Sequence, residues 1–223
     1  GKSLAGQTNM DITGGTFKVT STNWTIGINS GSIGVLNLSN ASVQVDCGLN
    51  VGQNGSGTIN MSSGSINVNG NIWIPSGSGG TGRINLYGGT ITANNLYLYS
   101  GGTPRIDITS GKIVIAGDQT TNINSYIANG WITAYGGAGT VSVVYDSSTY
   151  KTTISATGPI TNAADPVPAS DTNVAPSITK LSWTMPQPLK ADSQVTCDVY
   201  LGTDPNLSGA EKIVNGQSVS NVS

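Results

Sequence analysis

A chain of 223 residues with 9% charged residues, a net charge of −2 and no histidine rules out several classes of protein. With no basic cluster there is nothing to grip nucleic acid or an anionic membrane, and no apolar run approaches the roughly 18 residues that span a bilayer. Without histidine, Ser-His-Asp and Cys-His catalysis and histidine-ligated metals drop out, so no cofactor is expected.

The 31 glycines, with Ser, Thr and Asn, mark turns, and Ile, Val and Leu in period-two runs mark strands, which predicts an all-β chain with a core. The opening Gly1-Lys2-Ser3 carries no signal-peptide pattern and reads as a cut from a longer protein. From Met10 a short phrase (apolar, Asn or Asp, apolar) returns five times. Its copies are Met10-Asp11-Ile12, Leu36-Asn37-Leu38, Ile59-Asn60-Met61, Ile84-Asn85-Leu86 and Ile106-Asp107-Ile108. They start 26, 23, 25 and 22 positions apart, and the next apolar residue always follows seven positions on, at Phe17, Val43, Ile66, Ile91 and Ile113. A period in the low twenties built of short strands predicts a solenoid.

Each predicted coil has three strands. The second strands open at those five residues, and the third are Trp24-Thr25-Ile26, Leu49-Asn50-Val51, Ile72-Trp73-Ile74 and Leu96-Tyr97-Leu98. Alternation turns the outer residues of each triplet inward and the middle one to solvent. The first corner carries Gly14-Gly15, Asn40-Ala41, Ser63-Gly64, Gly88-Gly89 and Ser110-Gly111, small residues suited to a left-handed backbone. Three sheets assembled this way make a parallel β-helix, right-handed by the general rule for parallel crossovers. Coils about 4.8 Å apart give five of them a height of roughly 24 Å.

The phrase fades after Gly117-Asp118. Residues 118–157, with a helical pattern over Asn122 to Asn129 and irregular strands from Gly130-Trp131-Ile132, are expected to cap the open end. Residues 1–157 thus form the β-helix with its cap. Residues 158–176, with four prolines, have linker composition, and 177–223 resemble the opening strands of an immunoglobulin-like module, too short to be whole. Cys47 and Cys197 read as buried unpaired thiols in preference to a disulfide.

Candidate chemistry is sparse. The acids Asp11, Asp46, Asp107, Asp118 and Asp146 give no pair at glycosidase spacing, and Ser76-Gly77-Ser78-Gly79-Gly80 opens no helix and is a loop. Arg83, Arg105 and Asp107 form one charged group, read as a surface ion-pair cluster with a lyase site as the alternative. The aromatics say more. Trp73 and Tyr97 stand outward on adjacent coils, about 5 Å apart, with Tyr99 just beyond and Tyr87 at a corner. A Trp beside a Tyr facing solvent suits a sugar platform, while packing beneath the 75–82 loop or against the C-terminal segment are its alternative uses. Trp24 points into the core and Trp131 into the cap.

The runs Gly57-Thr58-Ile59-Asn60-Met61 and Gly82-Arg83-Ile84-Asn85-Leu86 resemble β-helix repeats of large bacterial secreted and cell-surface proteins. With a following immunoglobulin-like segment, the chain also resembles carbohydrate-binding module family 89, a xylan-binding β-helix. That resemblance implies a secreted or surface location, a neutral plant cell-wall polysaccharide as partner, a catalytic domain elsewhere in the full-length protein, and no catalysis here. The residues expected on the binding face follow from the row argument alone: Trp73, Tyr97, Tyr99, Tyr87, Asn60, Asn85, Asp107, Arg83 and Arg105. A structural stalk is the rival reading, and a polysaccharide lyase or hydrolase the third.

Overall fold

The computed structural model describes residues 3–4, 6–20 and 22–159, together with the backbone of the strands Ala164–Val167, Leu181–Thr184, Cys197–Leu201, Glu211–Gln217 and Asn221–Val222. The chain divides into two compact units, Gly1–Gly158 and Pro159–Ser223. The first is a parallel β-helix of about five coils.

Its first sheet stacks Gln7–Thr13, Ile33–Ser39, Ser56–Met61, Thr81–Leu86, Thr103–Ile108 and Ile132–Ala134, all parallel. The repeated phrases fall in register, Met10 on Leu36, Leu36 on Ile59, Ile59 on Ile84, and Ile84 on Ile106. Ile132–Ala134 adds a sixth rung by pairing with Ile106–Ile108, where only irregular cap structure was expected. The second sheet stacks Thr16–Val19, Ala41–Val45, Gly64–Val68, Thr90–Ala93 and Lys112–Ala116, keeping Phe17, Val43, Ile66, Ile91 and Ile113 in one row. The third holds Ser3–Leu4, Trp24–Ile26, Leu49–Val51, Asn71–Ile74 and Asn95–Leu98.

Burial follows the alternation. Leu36, Ile59, Ile84 and Ile106 of the first sheet, Val43 and Ile66 of the second, and Trp24, Leu49 and Ile72 of the third are fully enclosed. In the first corner Gly14, Gly15, Asn40, Gly64, Gly89 and Gly111 all take positive φ, as their small residues predicted. At the opposite corner consecutive coils nearly touch through backbone. Gly52 has φ +76, and a Cβ there would run into the Thr81 carbonyl, while one on Gly82 would strike the Val51 carbonyl. Glycine inside a strand commonly marks such a close approach.

Polar side chains knit the coils from outside. Asn37 Nδ2 donates to Asp11 Oδ1 (2.7 Å), Asn60 Nδ2 to Asn37 Oδ1 (2.8 Å), and Asn85 Nδ2 to Asn60 Oδ1 (2.7 Å). An ionised carboxylate only accepts, so Asp11 sets the direction of the whole amide ladder.

At the far end the helix Thr120–Ala128 occupies the place of a third strand, with Ile123 buried against the core. Gln119 Nε2 donates to Asn95 Oδ1 (3.3 Å) and prolongs the amide row that Asn95 makes with Asn71. Lys151–Thr157 then runs antiparallel to Lys112–Ala116, and Thr140–Asp146 antiparallel to Lys151–Thr157. This hairpin, the helix and the sixth rung together form the cap over 118–157.

In the second unit Leu181–Thr184 pairs antiparallel with Ala164–Val167 and with Asn221–Val222, and Cys197–Leu201 pairs antiparallel with Glu211–Gln217. Ala164–Val167 is therefore a strand within the stretch read as linker. The rest of that linker and of the immunoglobulin-like reading lies outside the described residues. Cys47 is free and half-buried where full burial was expected; the Cys197 side chain lies outside the described residues.

Candidate functional site

The structure sorts the expected face residues into three groups. Trp73 and Tyr97 sit in register on adjacent third-sheet strands, with ring centroids 6.2 Å apart and planes inclined by 22°. Tyr97 is 43% exposed, and Tyr99, one residue past its strand, 48%. The Trp73 ring is half-buried. It reclines over the preceding coil, where a Cβ on Gly48 would collide with it. The Tyr99 ring folds over its own loop, so that a Cβ on Gly101 would strike it.

The row beneath these rings departs from expectation. Thr25 and Asn50 share the outward register of Trp73, yet both are buried, and Asn50 Nδ2 donates to Thr25 Oγ1 (3.2 Å). Alternation gives the direction in which a side chain leaves the sheet. It does not say what lies on top, and here the Trp73 ring leans back over Gly48 beside the preceding strand. The exposed platform is therefore confined to the upper coils.

Asn60, Asn85 and Asp107 form the second group, on the first sheet. The two asparagines are half-buried and belong to the amide ladder, which makes them coil-to-coil ties before anything else. Asp107 turns the other way. Its Oδ1 accepts from Thr133 Oγ1 and from the Gly136 backbone N–H (2.9 Å), contacts supplied by the sixth rung and its following turn. Arg83 and Arg105 lie two residues before Asn85 and Asp107 on the same face. The expected ion-pair cluster does not form. Among the described residues the ion pair is Lys18 with Asp46 (3.1 Å), on the second sheet. Asp107 is held by the cap.

Tyr87 stands alone. It is 53% exposed at the corner between first and second sheets, away from the Trp73–Tyr97 pair.

Two features escaped sequence reasoning. Trp131 follows the first-sheet register onto the residue beside Arg105, since Ile106 pairs with Ile132 and the Ile106 N–H donates to the Trp131 carbonyl (2.7 Å). Its ring is half-buried and lies 5.8 Å from Tyr126, in keeping with the cap role expected for it. The 26-residue step from Ile106 to Ile132 matches that from Met10 to Leu36 and was the available signal. The second feature is a groove of about 340 Å³ on the second sheet, flanked by Asn69, Asn94 and Lys151. Its polar lining is largely engaged internally, with Thr92 Oγ1 donating to Asn67 (2.8 Å) and Asn94 Nδ2 to the Asn69 carbonyl (2.6 Å).

The remaining acids serve turns. Asp118 accepts from the Thr120 hydroxyl (2.7 Å) and N–H, which lower its pKa. Asp146 accepts from the hydroxyls of Ser148 and Thr149 and the Ser148 N–H, which hold its pKa down to about 2. A carboxyl this acidic is ionised at neutral pH and cannot serve as the proton donor that glycoside hydrolysis needs.

Comparison with protein-family models, with curated proteins and with solved structures returned no match.

Proposed function

We propose that this β-helix is a non-catalytic carbohydrate-binding module for plant cell-wall polysaccharide, with xylan the first candidate. The observation that carries the reading is the Trp73–Tyr97 stack on neighbouring strands of a regular sheet, with Tyr99 just past the second strand and both tyrosines more than two-fifths exposed. An aromatic face over a sugar ring buries apolar C–H surface, and a parallel sheet spaces such rings evenly along one line. The composition agrees, because a neutral polymer requires little charge from its binder. In this reading the protein works outside the cell, bacterial in origin, alongside a catalytic domain that it holds near the wall.

One observation favours the stalk. The Trp73 ring packs on Gly48, and the polar first-sheet row is largely spent on internal hydrogen bonds, so much of the surface is already used in holding coils together. A pull-down with insoluble xylan, cellulose and mannan separates the two. Retention on xylan supports the module; recovery of all the protein in the unbound fraction, for every polymer, supports the stalk.

Catalysis is expected to be absent. Incubation with xylan, β-glucan and pectin should release neither new reducing ends nor unsaturated uronides. Turnover that disappears in Asp107→Asn or Arg105→Ala would instead place acid-base chemistry on the first sheet.

A further inference from the structure

Arg83 and Arg105 are the two arginines of the chain, and they stand directly opposite each other on neighbouring parallel strands. Like charges in that position repel, and no carboxylate among the described residues relieves them. Asp107, the nearest acid along the strand, is bound to Thr133 and Gly136. Arg105 is half-buried, and its Nε is enclosed without a hydrogen-bond partner. A buried donor left unmade is costly, and a guanidinium pair presents forks shaped for a planar carboxylate.

The neighbours narrow the ligand further. In the row of the arginines stand Thr58 on one side and, by register, Trp131 on the other. Two residues along the strands, roughly 6.6 Å away, the amide ladder ends unevenly. Asn85 gives its Nδ2 to Asn60, which leaves its Oδ1 towards Asp107, and no hydrogen bond joins the two. Three amides running between two carboxylates must leave one link without a donor, and it falls here. The patch thus offers two unpaired cations and, about a sugar ring's breadth away, a pair of acceptors wanting a hydroxyl. A uronic acid carries both complements, a carboxylate on C5 and hydroxyls across the ring.

We infer that Arg83 and Arg105 form an anion site for the carboxylate of a uronic-acid residue borne by the bound polysaccharide. The inference rests on the polysaccharide reading above and adds acidic side groups or acidic chain residues to its ligand class. The arginines flank the same corner as Tyr99, with loops 75–80 and 99–102 between the third and first sheets. A decorated chain on the aromatic strip would have its acidic branch on that side.

The test compares glucuronic-acid-bearing xylan with the same polymer after reduction of its carboxyls to alcohols, by titration calorimetry in low salt. The acidic polymer is expected to bind at least about tenfold tighter, with the difference collapsing in 0.5 M salt, where charge interactions beyond about 4 Å are screened. In the R83Q/R105Q variant the two polymers should bind alike. That variant should melt no lower than the parent, since it removes a repulsion; a collapse of its fold would make the arginines structural and overturn the inference. Equal affinity of the parent for both polymers would overturn it while leaving polysaccharide binding intact. Failure to bind either polymer would remove the reading on which it stands. A sulfated glycan bound more tightly than the uronic one would also overturn it, because the site would then select tetrahedral oxyanions.

Discussion

Ile84→Ala is expected to lower the unfolding free energy by about 2–5 kcal/mol, the range found for large-to-small changes at buried sites. Ile84 is fully enclosed and stacks on Ile59 below and Ile106 above, so truncation opens a cavity shared by three coils. Regular backbone pairing on both sides resists collapse into that cavity, which places the effect in the upper part of the range. Asn85→Ala, one residue along, removes a ladder bond at a half-exposed position and should cost about 0.5–1.5 kcal/mol. Denaturant unfolding of the two variants checks the contrast. Equal losses would mean that the amide ladder, and not the aliphatic column, dominates the stability of the stack.

Combined Trp73→Ala and Tyr97→Ala substitution is expected to abolish measurable retention on xylan, and Tyr97→Ala alone to weaken it at least about fivefold, or ~1 kcal/mol. The two single variants differ in what else they disturb. Tyr97 is substantially exposed, so its removal should leave the melting temperature nearly unchanged. Trp73 packs on Gly48, and losing its half-buried ring should cost about 1–1.5 kcal/mol of stability as well. Affinity measured well below the melting transition therefore separates the two roles. Survival of xylan binding in the double variant would move the platform off the third sheet altogether.

The fold was legible because each coil repeats the same demand. Met10, Leu36, Ile59, Ile84 and Ile106 each turn inward at one place in the period, and the pairing register follows from that alone. Ile132–Ala134 was missed although it keeps the spacing, because a helix stands where the intervening third strand should be and breaks the pattern. The aromatic pair was legible as a pair, since register is a backbone property. The lean of the Trp73 ring over Gly48 was not: it depends on a residue lacking a side chain one coil away. The orientation of Asp107 was hidden for a related reason, its partners arising from the unrecognised rung.

The antiparallel hairpin that closes the second sheet also governs how such a molecule can grow. Lys151–Thr157 runs against Lys112–Ala116, so no further parallel coil can follow it in that sheet. At this end extra coils can enter only between existing ones, each a self-contained length of 22 to 26 residues. A duplication ahead of Ser56 would lengthen the stack by one rung and leave Trp73, Tyr97, Arg83 and Arg105 beside their present neighbours. Reach and recognition are thus separable variables, the one set by the number of coils and the other by the three successive coils that carry these four residues.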